Sequence, residues 1–405
     1  MFESRNLLYL LMKQYYPVLL ILGMLILGKI SILQILFAYI AICLFYRIRK
    51  NAKLNFHSSN SIFSKVFSLC PSISSLDYKP PFFLPFAPLQ FLFLKKSRVI
   101  PNYKMKLEKE KIGDDGVSVD WVTYEDYEKK GNPKKIFILL PGITGNITDT
   151  YVMNTVDKAI LEGYTVGIYQ MRILSENVKF PQEKGVHFSL FEDVNMAFNY
   201  IKNKFGSDSQ IYAVGYSYGA NQLIRYLGEY NTKNRIVTAA VSISNPYDFS
   251  IVGSEVENTI YERMILYFTQ RSFKRIRKSI EKDKKYNINC DIVQNTHSER
   301  EYDTEFSIKI FGYSSSSEFY RNIGCARFLK YIDIPLLCIH SKDDCVTDFR
   351  CVPLDDFNLN KNIAYIITDQ GNHSCFLENN GIFGVKQWIV KPAIEFINAI
   401  DTIVN

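Results

Sequence analysis

Proline and glycine are scarce, with 14 and 20 residues in a chain of 405 that carries 27 tyrosines and 29 phenylalanines. Collagen-like and low-complexity chains are thereby excluded, and hydrophobic residues at 47% can fill a sizeable core. The eight cysteines form no C-x-x-C pair and no Cys/His comb of zinc spacing, which argues against a structural metal. They read instead as small buried hydrophobes in a reducing compartment. Broad positive charge is also missing. The net charge is +7, but Arg5, Lys13, Lys29, Arg47, Arg49 and Lys50 against Glu3 place +5 of it in the first fifty residues. The remaining +2 is too little for a phosphate-backbone footprint, so no nucleic-acid partner is expected. No internal repeat occurs, and the length suits about two to three average domains or one large catalytic domain with additions.

From Val18 to Tyr46 the chain is almost wholly apolar. As one helix this run would be about 43 Å long, more than the roughly 30 Å of a bilayer's hydrocarbon core. Either one stretch spans, most simply Ile30 to Tyr46, or the run folds back near Gly28 and Lys29 as a hairpin. A cleaved signal peptide fits poorly, since the run is too long and no small-x-small site follows it. Residues 1–50 are therefore expected to be an uncleaved membrane anchor. Arg47, Arg49, Lys50 and Lys53 after the run favour a cytosolic carboxy-terminal bulk on an intracellular membrane such as the endoplasmic reticulum. Two sequons, at Asn146 and Asn372, fall in loops assigned below to the active site, which agrees with that side.

Residues 51–105 read as a linker and a Pro- and aromatic-rich elaboration, in which the prolines between Tyr78 and Leu94 forbid a regular helix interior. Packing of that segment on the main domain is preferred to a dip into the bilayer interface. Residues 106–405 alternate strand and helix patterns. Asp115-Gly116 marks a hairpin between Lys106–Ile112 and Val117–Val122. Buried strands are expected at Ile136–Leu140, Thr165–Tyr169, Ile211–Gly215, Arg235–Ser244, Pro335–His340 and Ile363–Thr368. Helical patterns lie near 150–162, 190–204, 219–229 and 385–400. The alternation predicts an α/β fold, a mostly parallel sheet covered on both faces, with a helical insertion at about 246–330.

The chemistry centres on Gly215-Tyr-Ser217-Tyr-Gly219. Here a strand runs into G-x-S-x-G and then a helix, the elbow that holds a nucleophilic serine at a strained turn. A serine hydroxyl needs a base, and the expected chain order is Ser, acid, His. Of five histidines only His373 follows both Ser217 and a carboxylate ending a strand, and that carboxylate stands in Ser341-Lys-Asp343-Asp344. Asp344 is preferred to Asp343 because it begins the loop step towards Val346. The backbone N–H groups of Tyr218, after the nucleophile, and Ile143, in Pro141-Gly142-Ile143-Thr144-Gly145, are the candidate oxyanion donors. Gly142 and Gly145 would let a carbonyl oxygen approach. No cofactor is called for.

In order, Leu-Pro-Gly-Ile-Thr-Gly, Gly-Tyr-Ser-Tyr-Gly, Ser-Lys-Asp-Asp and Gly-Asn-His resemble the α/β-hydrolase-domain proteins of types 1 and 3, relatives of YheT-like bacterial esterases. Asp115 to Trp121, Arg300 to Phe306 and Phe311-Gly-Tyr313 add to the likeness, which spans roughly residue 78 to the end. The resemblance implies an α/β-hydrolase fold with a cap, and a membrane-bound serine hydrolase of lipid esters with Ser217, Asp344 and His373 at the catalytic positions. Two departures stand out. Met171-Arg172 replaces an expected Arg-Gly step, and the insertion carries a basic segment from Arg271 to Lys285. Lys274, Arg275 and Arg277 in that segment could lean on anionic headgroups or guide a phosphate towards Ser217. Acyl transfer from the same acyl-enzyme and an idle lipid-binding scaffold remain the alternatives. Oligomeric state is not legible.

Overall fold

A computed structural model describes residues 28, 31–48, 52–56, 61–84, 87–113, 116–128, 131–143, 145–174, 190–282 and 286–404. The strands are β1 (Ala52–Phe56), β2 (Met105–Ile112), β3 (Val117–Tyr124), β4 (Asn132–Leu140), β5 (Tyr164–Gln170), β6 (Gln210–Tyr216), β7 (Val237–Ile243), β8 (Leu336–Ser341), β9 (Ile363–Thr368), β10 (Leu377–Asn380) and β11 (Gly384–Gln387). Nine of them form one sheet in the order β1-β9-β8-β7-β6-β4-β5-β3-β2. Strands β5, β4, β6, β7, β8 and β9 run parallel, while β1, β3 and β2 join antiparallel to their inner neighbours at the two edges.

The strand residues alternate between two cores. In β4, Ile136, Ile138 and Leu140 face one side and Phe137 and Leu139 the other, and β6 divides Ile211 and Ala213 from Tyr212, Val214 and Tyr216 in the same way. This period of two, with apolar residues at every position, is what a sheet covered on both faces requires. Each such side chain contributes about 1.5–3 kcal/mol on burial. The helices Leu190–Phe205 and Tyr218–Tyr226 cover one face, and Thr150–Leu161 and Val390–Val404 the other. Between β7 and β8 the chain leaves the sheet for a helical cap, dominated by Ile260–Lys282.

Several expectations need correction. The 51–105 segment is not a plain linker. Its Ala52–Phe56 strand pairs with β9, and Phe63, Val66 and Phe67 of the helix Ser61–Ser68 bury beside Phe396. A helix does form at Ala87–Leu94 despite the prolines, because Pro88 sits in its first turn, where no backbone donor is needed. The final helix begins at Val390 rather than 385, since Gly384–Gln387 pairs with β10. The elbow helix ends at Tyr226 in a π-turn over Leu227–Asn231.

The apolar amino-terminal run is represented by a 17-residue helix, Ile32–Ile48, about 25 Å long. No described helix is long and apolar enough to cross a membrane. The first part of the expected anchor, including most of the proposed fold-back at Gly28 and Lys29, lies outside the described residues. Seven described cysteines are free, and all but Cys345 are buried.

Candidate active site

Strand β6 delivers Ser217 at its carboxyl end, where the backbone turns straight into a helix. Ser217 has φ +52° and ψ −124°, a conformation costly for a side-chain-bearing residue. Only glycine fits on either side. A methyl group on Gly215 would lie 2.6 Å from Ala220 Cα, and one on Gly219 would overlap the carbonyl oxygens of Leu140 and Pro141. The tight turn is held by Ser217 N–H donating to Ile243 O of β7 at 2.9 Å.

The loops after β8 and β9 bring the other two groups. His373 Nε2 stands 2.9 Å from Ser217 Oγ, and His373 Nδ1 stands 3.0 and 3.1 Å from the two oxygens of Asp344. A carboxylate only accepts, so Nδ1 carries the proton and Nε2 is left to accept from the serine hydroxyl. Asp344 also accepts from the N–H groups of Val346 and Thr347, at 2.9 and 2.8 Å, and from the Thr347 hydroxyl at 2.7 Å. Burial would raise its pKa, but the His373 charge and hydrogen bond, with His340 and the Thr347 N–H, outweigh burial and hold the carboxyl at about 2. It is an anion throughout the physiological range.

Asp343 does different work. Its carboxylate accepts the Asn372 N–H at 2.8 Å and so ties the β8 loop to the histidine loop. Burial pushes it up to about 6, against the lowering effect of that N–H. The histidine loop is further pinned where Asn372, at φ +55°, donates through Nδ2 to Ala87 O at 2.5 Å. Asn372 is wholly buried. His340, the residue of β8 just before Ser341, is buried and bonds Thr347 O at 3.0 Å.

The β4 loop supplies the remaining wall. Gly142 N–H is already engaged by the Tyr151 hydroxyl at 3.0 Å, and a Cβ on Gly142 would lie 3.4 Å from Ser217 Cβ. Gly145 packs on Tyr151 and Pro141. Tyr218 opens the elbow helix, so its N–H has no intrahelical carbonyl to meet. Tyr151 and Thr347, which set the loop and the acid, escaped the sequence reading. A threonine three residues after Asp344 was the one available signal, because short side chains there commonly bond back to the acid.

Two cavities meet at this wall. One, of about 170 Å³, lies within the cap and is mostly apolar, with Val256, Ile265, Phe273, Phe306 and Phe319 around Ile143 and Tyr218. The other, of about 820 Å³, contains Ser217 and His373 together with Lys95, Lys109, Arg271 and Arg275. Of the basic segment, then, Arg271 and Arg275 face the basin, whereas Arg277 is taken up by Glu281 and Asp291 at 2.6 and 2.8 Å. Arg172 is no free base either. It is buried and paired with Asp193 through two hydrogen bonds, one of them Nε to Oδ2 at 2.7 Å.

A mostly parallel sheet, a strained serine after β6 and an acid and a histidine on later strand ends define one class: the chain is an α/β-hydrolase-domain protein. Residues 177–310 match the model of a family described as alpha/beta hydrolase of unknown function (DUF915). The chain is 27% identical to Embryogenesis-associated protein EMB8 of Picea glauca, over 77% of this chain and 70% of that protein. With Phospholipase ABHD3 of Homo sapiens it shares 25% identity over 69% and 68% of the two chains. With Monoacylglycerol lipase ABHD2 of Homo sapiens it shares 22% over 65% of each. Among solved structures, the Pyrococcus furiosus esterase Pf2001 aligns at 18% identity and a TM-score of 0.43, covering 68% of this chain and 87% of its own.

Proposed function

We propose that this carboxylic ester hydrolase of the α/β-hydrolase type cleaves lipid esters through an acyl-enzyme on Ser217. The observation that carries the reading is the 2.9 Å contact of Ser217 Oγ with a His373 whose other nitrogen faces the Asp344 carboxylate. His373 Nε2 takes the hydroxyl proton as Oγ attacks the ester carbonyl. The resulting oxyanion is received by the N–H groups of Tyr218 and Ile143. His373 then returns the proton to the leaving alcohol as the C–O bond breaks. Water, activated by the same imidazole, adds to the acyl-enzyme and releases the acid and Ser217.

Asp344 holds the imidazole tautomer and balances its transient charge, which its low pKa supports. The apolar cap cavity beside Tyr218 and Ile143 suits an acyl segment, and the basin with Lys95, Lys109, Arg271 and Arg275 suits an anionic headgroup. At about 170 Å³ the cavity is below the roughly 300–1,000 Å³ of common ligand sites, so long chains require the cap to open. The relatives named as a phospholipase and a monoacylglycerol lipase support a glycerolipid. The amino-terminal apolar run anchors the chain to a membrane, with the hydrolase domain on the cytosolic side.

Labelling by a fluorophosphonate tests the reading. Detergent-solubilised wild-type protein is expected to react, and Ser217→Ala and His373→Ala are not. A folded wild-type protein that stays unlabelled would sink the proposal.

A further inference from the structure

The short helix Ala87–Leu94 and the β10–β11 hairpin pack on each other through Leu84, Leu89, Phe91 and Leu377, next to the loop that carries His373. Their outer side is unusual. Ile382 and Phe383, at the tip of the hairpin, are 74% and 70% exposed, and Leu92 on the helix is 74% exposed. Phe383 packs tilted against Phe82 and edge-on against Phe83 at 6.2 and 5.7 Å between ring centres, and Phe83 meets Phe93 at 5.8 Å, so the rings form one continuous apolar ridge. Single exposed apolar residues are ordinary, whereas a contiguous set marks a contact surface.

Three features say what covers the ridge. Its rim is basic: Lys95 and Lys96 are exposed, and Lys96 Nζ rides 4.5 Å over the Phe93 ring in the manner of a lysine keeping its charge in water above buried carbon. The hairpin's acid, Glu378, is taken up by Lys391 and Lys386. The ridge is continuous with the apolar helix Ile32–Ile48, whose Tyr39 hydroxyl donates to Phe83 O. Finally, Phe91 and Leu94 of the helix Ala87–Leu94 line the basin that holds Ser217. Apolar tips ringed by lysines, beside an apolar helix and at a site mouth, match the interfacial layer of a bilayer with anionic lipid.

We infer that the ridge of Leu92, Ile382 and Phe383 is a second bilayer contact beside the amino-terminal run, which seats the mouth of the Ser217 basin against the leaflet. This contact does not rest on the chemistry of Ser217, and its test reads no activity. The full chain is reconstituted in vesicles of phosphatidylcholine and phosphatidylserine, with and without brominated acyl chains. Phe383→Trp reports from the ridge. Leu359→Trp, at a position 83% exposed just before β9 and thus at the opposite end of the parallel strands from Ser217, reports from the far side. The native Trp121 and Trp388 are buried and give the background.

Tryptophan at 383 is expected to shift to the blue and to lose emission about twofold with brominated lipid, since an interfacial tip lies about 5–10 Å deep. Omitting phosphatidylserine should reduce that loss, and tryptophan at 359 should show none. Absent quenching at 383, or equal quenching at both positions, would overturn the inference. So would a blue shift at 383 that brominated lipid does not quench and that grows with protein concentration, which would assign the ridge to a second copy of the chain. Circular dichroism matching wild type shows that each variant is folded.

Discussion

Asp344 is buried and Asp303 half-buried, and the sheet and the cap treat the two carboxyls in opposite ways. Asp344, after β8, meets backbone N–H groups and an imidazole, and its pKa is held at about 2. Asp303, in the cap beside the apolar cavity, meets the hydroxyls of Ser307 and Tyr320, and burial carries it up to about 6. Its neighbour Glu299, bonded to the Thr269 hydroxyl, is also pushed well up, by burial and then by Asp303. Hydrogen bonds alone do not offset desolvation, either at Asp303 with its hydroxyl donors or at Asp343 with the Asn372 N–H, whereas the imidazole beside Asp344 tips the balance. Asp344 is thus placed to hold a charge, and Asp303 and Glu299 in the cap are placed to part with one.

The largest test of that contrast is at the paired aspartates. Asp344→Asn should lower kcat about 10³–10⁴-fold in a steady-state ester assay, because the amide would stabilise the wrong imidazole tautomer. Asp343→Asn, whose carbonyl can still accept the Asn372 N–H, should stay within about tenfold of wild type. Equal losses would mean that the acid is not Asp344 alone.

Next comes the basin. Reversing Arg271 and Arg275 together to glutamate should lower kcat/KM for an anionic lipid ester by about thirtyfold and for a neutral one by less than about threefold, from two charge changes in a wet site. A parallel loss on both substrates would remove the anionic headgroup from the reading. A smaller effect is expected inside the cap. Val256→Phe fills part of the apolar cavity and should shift preference towards shorter acyl chains by about tenfold in competition assays.

The smallest effect concerns stability. A carboxyl whose folded pKa is raised adds stability below its unfolded value, and that stability is lost as pH rises through about 6. Asp303→Asn should therefore be more stable than wild type above pH 6, by on the order of 1–2 kcal/mol, and lose that advantage near pH 4. Thermal melts at both pH values check the sign. Asp344 runs the other way, since its contribution stands above the unfolded value and goes only as pH falls towards 2.

The parallel strands were legible because each is a short, mostly apolar run, as in Ile136–Leu140 and Ile363–Thr368, and buried strands admit little else. Ala52–Phe56 was not, since a half-exposed edge strand of Ala-Lys-Leu-Asn-Phe carries little apolar signal and its partner lies some three hundred residues away. The polar four-residue strands β10 and β11 were hidden for the same reason. In the site, Gly215 and Gly219 around Ser217 declared the elbow, because only glycine tolerates the backbone contacts there.

Residue order thus established an alternating fold, a strained serine and a histidine after the last long strand, all of which depend on local pattern and spacing. The sequence already preferred Asp344 to Asp343, but what separates two adjacent, chemically identical carboxylates is set in the folded chain, where the turn at Val346 and Thr347 aims Asp344 at His373 and Asp343 at Asn372. So is the division of the basic segment, in which Arg271 and Arg275 line the basin that holds Ser217 while Arg277 is spent on Glu281 and Asp291. Pairing and direction of side chains depend on what the remainder of the chain brings alongside, and no local pattern carries that information.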